Sequence, residues 1–194
     1  MSTKLFGNKP EIDKTWTLFL DRDGVINIES VGSYITNWDE FKFHDGALEA
    51  LRTLSHVFGK IVVVSNQRGV GRGVMSLESL RDINHKMKAA VAEHGGRVDK
   101  IYAATSVSDE DRNRKPNTGM GLQAQEDFPE IDFKKSVMIG NSISDMEFGK
   151  RLSMYNVFLT TKHDPFALPH DLIDEQFSSL FAWASRLVPA ELVG

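Results

Sequence analysis

Three short apolar runs in this chain each stop at a group of small polar residues, and this repeated pattern constrains the fold more than any other feature. The runs are Trp16–Leu20, Ile61–Val64 and Val137–Ile139. Continuous apolar runs of this length are typical of strands that are buried on both faces, as in a parallel sheet. Open α/β sheets bind ligands where the carboxyl ends of parallel strands meet. The sequence therefore predicts a binding site at that edge.

Helical periodicity fills the segments between the runs. Apolar residues recur at three- and four-residue spacing over Gly46–Phe58 and over Leu77–His94, and Ser76 is suited to cap the second helix. Weaker patterns predict strands at Val98–Ala104 and Asn156–Leu159, and helices at Asn117–Asp127, Ser144–Leu152 and Gln176–Leu187. Alternating strands and helices predict a doubly wound parallel α/β sheet.

Length and composition narrow the class of protein. A chain of 194 residues suits one domain spanning residues 1–194. The absence of cysteine excludes thiol nucleophiles, cysteine-bound zinc and iron–sulfur sites. A net charge of −4 argues against general nucleic-acid binding, although it is compatible with a local basic cleft. Neither a signal-peptide core at residues 1–10 nor a long apolar segment is present, so we expect a soluble, cytoplasmic protein without membrane contact.

The first polar group is Asp21-x-Asp23-Gly24, directly after the first apolar run. Two carboxylates at this spacing can serve as nucleophile and general acid or base, or they can hold a hard cation. An acidic turn without function is the alternative for this motif alone. An EF-hand loop is disfavoured, because its positions 5 and 6 would be Val25 and Ile26.

The second polar group is Ser65–Gly73, after the second apolar run. Hydroxyl, amide and glycine-exposed N–H groups beside Arg68 and Arg72 are the donors that a phosphate needs. The segment is not a dinucleotide-binding fingerprint, which would require glycine at position 74, where the chain has valine. A flexible surface turn is the alternative.

Two further polar groups complete the set. Arg114 and Lys115 precede a predicted helix, and Asn141 and Asp145 follow the third apolar run. Each is weak evidence alone, since an Asn–Asp pair often just begins a helix. All four groups lie at or just beyond predicted strand ends, and this shared placement makes the combination specific.

In this order the four groups resemble the haloacid dehalogenase superfamily, in its phosphatase branch. The resemblance spans Leu18 to Asp145, and three segments are similar to the heptose-bisphosphate and histidinol-phosphate phosphatases: Asp21–Asn27, Asn66–Gly73 and Arg114–Met120. It implies a Rossmann-like fold. The first two groups are too close in sequence for a cap domain to lie between them, so we expect residues 25–45 to form only a small flap. The resemblance also implies a Mg²⁺-dependent phosphomonoesterase for a small phosphorylated metabolite, with heptose bisphosphate favoured over histidinol phosphate.

The resemblance also implies a role for each residue. Asp21 is the nucleophile that forms an aspartyl-phosphate, Asp23 is the general acid and base, and Lys115 is a fixed positive charge. Ser65 and Asn66 hold the phosphoryl oxygens. The metal ligands are Asp21, Asp23 and one of Asn141 and Asp145, and the substrate-binding candidates are Asn66, Arg68, Arg72 and Arg114.

The chain departs from the family pattern in two places. Asn141 stands where the family usually has aspartate, so an amide oxygen replaces a charged ligand. The loop 105–113 reads TSVSDEDRN, where the subfamily commonly carries a Cys/His zinc loop. No structural zinc is therefore expected, and contacts among acidic and basic residues are the alternative means of ordering this loop: Asp109, Glu110, Asp111 and Arg112.

Two other functions stay open at this point. A nucleic-acid 3′-phosphatase also suits an open site lined by basic residues, but the acidic total and the lack of an aromatic-interleaved basic stripe disfavour it. A phosphate-ester binding protein without turnover would explain Asn141 and the altered loop. The presence of Asp21, Asp23, Ser65 and Lys115 argues for an enzyme. We expect a monomer or a weak dimer whose partner is a small phosphate ester.

Overall fold

Six parallel strands form one sheet in the computed structural model, which describes residues 9–30 and 32–187. The strands are β1 Thr17–Leu20, β2 Lys60–Asn66, β3 Lys100–Ala104, β4 Ser136–Gly140, β5 Tyr155–Leu159 and β6 Glu175–Phe177. The helices are α1 Ala47–Val57, α2 Arg68–Gly71, α3 Leu77–Glu93, α4 Gly119–Asp127, α5 Ile143–Arg151 and α6 Leu180–Leu187. The strand order is β3-β2-β1-β4-β5-β6. This architecture confirms the predicted doubly wound parallel α/β fold.

Successive residues of the central strands point alternately into two separate hydrophobic cores, one on each face of the sheet. In β1, Leu18 and Leu20 join the core that α1, α3 and α6 cover, whereas Phe19 points to the core under α4 and α5. All three side chains are fully buried. Because both faces are covered, the strands need no polar positions, and this is why their sequences are continuous apolar runs.

The predicted elements are confirmed to within a few residues, with one exception. Gln176–Leu187 was expected to be a single helix, but Glu175–Phe177 is the edge strand β6, paired with β5, and the helix begins only at Leu180. A three-residue strand is too short to display a period of two, so its sequence is not distinguishable from the start of a helix. Ser179 accepts a hydrogen bond from the N–H of Ala182 and thereby caps α6.

The strand order places the topological switch point of the sheet between β1 and β4. The chain passes from β1 through β2 to β3 on one side, and then crosses to β4 on the other side. Asp21 follows β1 at this point, where open α/β sheets form their binding crevice. Among the described residues of the 25–45 segment the only regular element is one 3₁₀ turn, Trp38–Glu40, so this segment is a flap rather than a folded cap.

The flap is anchored by aromatic packing. The rings of Trp38 and Phe41 stack 5.0 Å apart, and Phe43 meets Phe41 edge-on at 5.1 Å. Phe41 is buried in the core beneath. None of the helices that the structure describes is long and apolar enough to cross a membrane, and the expected lack of a signal-peptide core concerns a segment of which residues 1–8 lie outside the described part.

Candidate active site

One buried ammonium group joins two carboxylates at the carboxyl edge of the sheet. The Nζ atom of Lys115 lies 2.9 Å from Asp21 Oδ1 and 2.6 Å from Asp145 Oδ1. The side chains of Lys115 and Asp145 are 1% exposed, and that of Asp21 is 13% exposed. The N–H of Asp21 donates to the carbonyl of Ile139, which ties the end of β1 to β4. The predicted nucleophile and the predicted fixed charge therefore lie in direct contact.

The electrostatics of this group leave it short of positive charge. Burial raises the pKa of Asp21 to about 7, because Lys115 offsets the lost hydration only in part and Asp145 adds repulsion. Burial alone would lower the pKa of Lys115, but Asp145 and Asp21 outweigh it and raise that pKa. Lys115 is therefore a permanent cation. A further cation beside Asp21 would stabilise its ionised form.

Asp23 is held in place by three neighbours. Arg22 donates to both of its carboxylate oxygens at 3.0 Å, Asn27 donates to Oδ1 at 2.9 Å and Gln67 donates to Oδ2 at 2.6 Å. Burial would raise the pKa of Asp23, but the charge of Arg22 and these hydrogen bonds outweigh it and lower that pKa. Sequence reasoning missed all three partners. The side chain of Arg22 is 1% exposed, and such burial is unusual for an arginine.

Asn66 and Ser65 support the site from the end of β2. The amide of Asn66 donates to the carbonyl of Lys115 at 3.0 Å and accepts from its N–H at 2.9 Å. Asn66 thus fixes the backbone that carries the ammonium group, a function that the sequence did not indicate. Ser65 is buried, and its hydroxyl oxygen accepts a hydrogen bond from Gln67 at 2.8 Å. Phosphate binding by Ser65 and Asn66 stays a prediction.

Asn141 and Asp145, which form the fourth polar group, lie in two different environments. Asp145 closes a capping box at the start of α5, where its Oδ2 accepts from the N–H and the hydroxyl of Ser142 at 3.0 and 2.7 Å. Its Oδ1 faces Lys115, so both oxygens are occupied. Asn141 instead packs against Gly24, which has a φ of +83°, and a Cβ at Gly24 would lie 1.9 Å from Asn141 Nδ2. Glycine is required there for its conformation and for its lack of a side chain.

Two of the three predicted substrate-binding arginines are paired with one aspartate. Asp109 accepts a hydrogen bond from Arg114 at 2.9 Å and one from Arg68. Arg68 Nε and Arg114 Nη1 are buried without a hydrogen-bond partner. The third arginine, Arg72, donates to the hydroxyl of Tyr34 in the flap at 2.9 Å. The structure therefore places these arginines around the flap and the 105–113 loop, and their contact with substrate stays a prediction.

The 105–113 loop is ordered by protein contacts. Asn117 donates to the carbonyls of Asp109 and Asp111, both at 2.9 Å, and Asp109 forms the two arginine contacts. Among Asp109, Glu110, Asp111 and Arg112, Asp109 forms the side-chain ion pairs. Both partners of Asp109 lie outside that set. Arg68 is near because α2 lies beside the loop, where Gly71 donates to the carbonyl of Thr105 at 3.0 Å, and Arg114 directly follows the loop.

These groups surround a small polar cleft of about 180 Å³. It is lined by Asp21, Asp23, Glu29, Asn66, Lys115, Asn141, Ser142, Ser144, Asp145 and Lys162. Within residues 9–30 and 32–187 no three His, Asp or Glu side chains are grouped so as to hold a metal. A cation here would therefore need amide or backbone oxygens beside its carboxylates. Such an all-oxygen donor set suits Mg²⁺, so the residues present fit this ion.

Comparison with known proteins decides the family. The family model described as polynucleotide kinase 3 phosphatase matches residues 17–170. The chain belongs to this family, within the haloacid dehalogenase superfamily. It is a hydrolase of phosphate monoesters, and the resemblance on which that expectation rested is confirmed. The alternative of a binding protein without turnover finds no support among these relatives.

Several similar proteins are named as heptose-bisphosphate phosphatases. The D-glycero-alpha-D-manno-heptose-1,7-bisphosphate 7-phosphatase of Mycobacterium tuberculosis is 33% identical over 170 residues, covering 87% of this chain and 90% of the relative. The D-glycero-beta-D-manno-heptose-1,7-bisphosphate 7-phosphatase of Haemophilus influenzae is 37% identical over 139 residues, covering 68% and 74%. The crystal structure of D,D-heptose 1,7-bisphosphate phosphatase from B. bronchiseptica, complexed with magnesium and phosphate, has a TM-score of 0.79 and 26% identity, covering 89% of this chain and 97% of that one.

Proposed function

We propose that this phosphatase hydrolyses a phosphomonoester of a small phosphorylated sugar, of the heptose bisphosphate type, with Mg²⁺ and through an aspartyl-phosphate. The observation that carries the proposal is the contact of Asp21 with Lys115 in the cleft at the end of β1. A carboxylate with one oxygen held by a buried ammonium group presents its other oxygen in a defined direction. The names of the relatives support the substrate class.

Charge repulsion is the main obstacle to attack by Asp21. At ~4 Å and an effective dielectric of ~20, a carboxylate and a phosphate dianion repel by roughly 8 kcal/mol. Lys115 offsets part of this repulsion and lies within 2.9 Å of the attacking group. Mg²⁺, held by the Asp21 carboxylate, the Asp23 carbonyl and the Asn141 amide oxygen, would neutralise the remainder when bound.

The two chemical steps use the two aspartates in turn. In the first, Asp21 forms a bond to phosphorus while the ester bond breaks, and Asp23 donates a proton to the leaving alkoxide. In the second, Asp23 takes a proton from the water that attacks the aspartyl-phosphate, and Asp21 is released with inorganic phosphate. The lowered pKa of Asp23 keeps its carboxylate ionised, which is the form that the second step needs, whereas the first step needs the protonated form.

We propose that Asn141 is the direct metal ligand and that Asp145 positions Lys115. Both oxygens of Asp145 are occupied by Ser142 and Lys115, whereas the Oδ1 atom of Asn141 receives no hydrogen bond from any residue in the described ranges. Zinc has no place in this proposal, because the chain has no cysteine and Mg²⁺ fits the oxygen donors.

One observation favours a second substrate class, namely the name of the family model, which refers to a polynucleotide 3-phosphatase. No folded cap covers the cleft within the described residues, and the 3′ end of a nucleic-acid strand would need such access. The charge is unfavourable: the 27 acidic residues outnumber the 23 basic ones, and Asp109 already pairs with Arg68 and Arg114. A small sugar phosphate is therefore the better fit.

The test is phosphate release by the purified protein with Mg²⁺, measured on heptose bisphosphate, histidinol phosphate, an aryl phosphate and a 3′-phosphorylated oligonucleotide. We expect the highest kcat/KM on the bisphosphate and no detectable turnover in Asp21→Asn. Asp82→Asn, an exposed carboxylate on α3, is the matched control and should retain full activity. Undiminished activity of Asp21→Asn would refute the nucleophile, and preference for the oligonucleotide would refute the substrate class.

A further inference from the structure

The segment after β4 contributes an amide to the cleft, but it contributes no carboxylate that is free of other partners. Asn141 is 3% exposed and neutral, and the nearby carboxylate of Asp145 is committed to Lys115 and Ser142. A divalent cation at this position would therefore meet less negative charge than its coordination favours. The missing charge must come from another element that lines the same cleft.

Glu29 of the flap brings a carboxylate to that position. It lines the cleft, and its Oε1 atom lies 3.4 Å from Asn141 Nδ2. Thr161 Oγ1 lies 3.3 Å from the same nitrogen. The Thr161 hydroxyl donates its own proton to the carbonyl of Gly24 at 2.6 Å, so it serves as an acceptor toward the amide.

Two acceptors on one side of an amide determine which of its ends faces them. The NH₂ end of Asn141 is directed at Glu29 and Thr161, so its Oδ1 oxygen is turned away from both. We propose that Glu29 is a positioning residue for the cation site: it orients the Asn141 oxygen and supplies the negative charge that asparagine lacks. This inference rests on the proposed Mg²⁺-dependent function.

The second oxygen of Glu29 is paired with Lys162, and this pair limits the effect without cancelling it. Lys162 Nζ lies 3.2 Å from Glu29 Oε2, which leaves Oε1 directed at the amide. The Lys162 side chain is 42% exposed and that of Glu29 is 23% exposed, so solvent screens the lysine charge more strongly. Carboxylates that bond to a metal ligand in this way orient it and strengthen metal binding.

The test is a calorimetric titration of the intact protein with Mg²⁺ in the absence of substrate. Glu29→Gln should weaken Mg²⁺ binding by about tenfold or more, the range found when such outer partners of metal ligands are removed. Asn141→Asp restores a charged ligand, so in that background Glu29→Gln should change the affinity by less than about threefold, as expected for coupled residues.

Two matched variants separate charge from flap structure. Asp39→Asn removes an exposed flap carboxylate outside the cleft and should leave Mg²⁺ binding unchanged. Lys162→Gln breaks the ion pair that holds Glu29 but keeps the carboxylate, so Mg²⁺ affinity should stay equal or rise. Affinity in Glu29→Gln within twofold of the wild type, or an equal loss in Lys162→Gln, would overturn the inference. Since Asp21→Asn turnover tests the proposed function separately, the two failures are distinguishable.

Discussion

Replacing Lys115 by methionine tests the electrostatic design of the cleft most directly. Methionine keeps most of the side-chain volume but leaves the carboxylates of Asp21 and Asp145 buried without a cation. Removing one partner of a buried ion pair typically lowers the free energy of unfolding by about 3–5 kcal/mol. For a chain of this size each kcal/mol lowers Tm by roughly 2–4 °C, so we expect a loss of about 6–20 °C.

The pH dependence of this loss carries a sign that a packing defect would not produce. Burial raises the pKa of Asp21 to about 7 in the folded protein, and removing Lys115 raises it further because that ammonium group lowers it. An acid whose pKa is higher in the folded state destabilises the fold increasingly as pH rises from its unfolded pKa, about 4, to its folded pKa. Below about pH 7 Asp21 is protonated in both folded proteins, so their stabilities change in parallel there. The Tm deficit of Lys115→Met should therefore be largest at pH 8, shrink as pH falls through about 7, and stay constant below that.

The measurement is thermal unfolding by circular dichroism in EDTA from pH 5 to pH 8. Lys86→Met, which removes an exposed i,i+4 partner of Asp82, is the matched control and should change stability by less than about 0.5 kcal/mol. Adding Asp145→Asn to Lys115→Met should recover part of the lost Tm, because one uncompensated carboxylate disappears. A Tm deficit below about 2 °C at pH 8, where 6 °C or more is expected, or one that grows toward pH 5, would refute the reasoning.

Two other substitutions test particular contacts around the cleft. Gly24→Ala should strongly reduce turnover and Mg²⁺ affinity, because its Cβ would displace Asn141. Gly32→Ala is the control: it has the same left-handed strain, of about 1–2 kcal/mol, but no atom lies within 4 Å of the added Cβ. Equal activity of the two variants, measured by phosphate release, would contradict this contact. Asp109→Ala should free Arg68 and Arg114 with little change in Tm, because the Asp109 side chain is 82% exposed. It should lower KM for a bisphosphate more than for a monophosphate. An unchanged ratio of the two KM values would show that these arginines do not contact the second phosphate.

Some site residues were within reach of sequence reasoning and others were not. Asp21, Asp23, Lys115 and Asn141 could be identified because each follows a strand signal or fits an ordered family motif. Arg22 was overlooked because charged residues are rarely buried, and nothing in the local pattern indicates that this one is.

The sequence by itself determined the sheet, its parallel direction and the edge at which the polar groups meet. Hydrophobic periodicity and the residues that end each run are local properties, so they can be interpreted without knowledge of the tertiary structure. The phosphatase activity was predicted only through the resemblance of the ordered motifs to a known family, and the absence of cysteine excluded thiol and cysteine-bound zinc sites.

Only the tertiary structure decided which side chains face each other. Lys115 meets Asp21 across 94 positions of the sequence, Asn66 meets the Lys115 backbone across 49, and Glu29 meets Asn141 across 112. Hydrogen bonds and ion pairs act over a few ångströms and depend on how loops cross the sheet edge, and residues distant in sequence carry no local sign of such contacts. The tertiary fold therefore separated the bound carboxylate of Asp145 from the amide of Asn141.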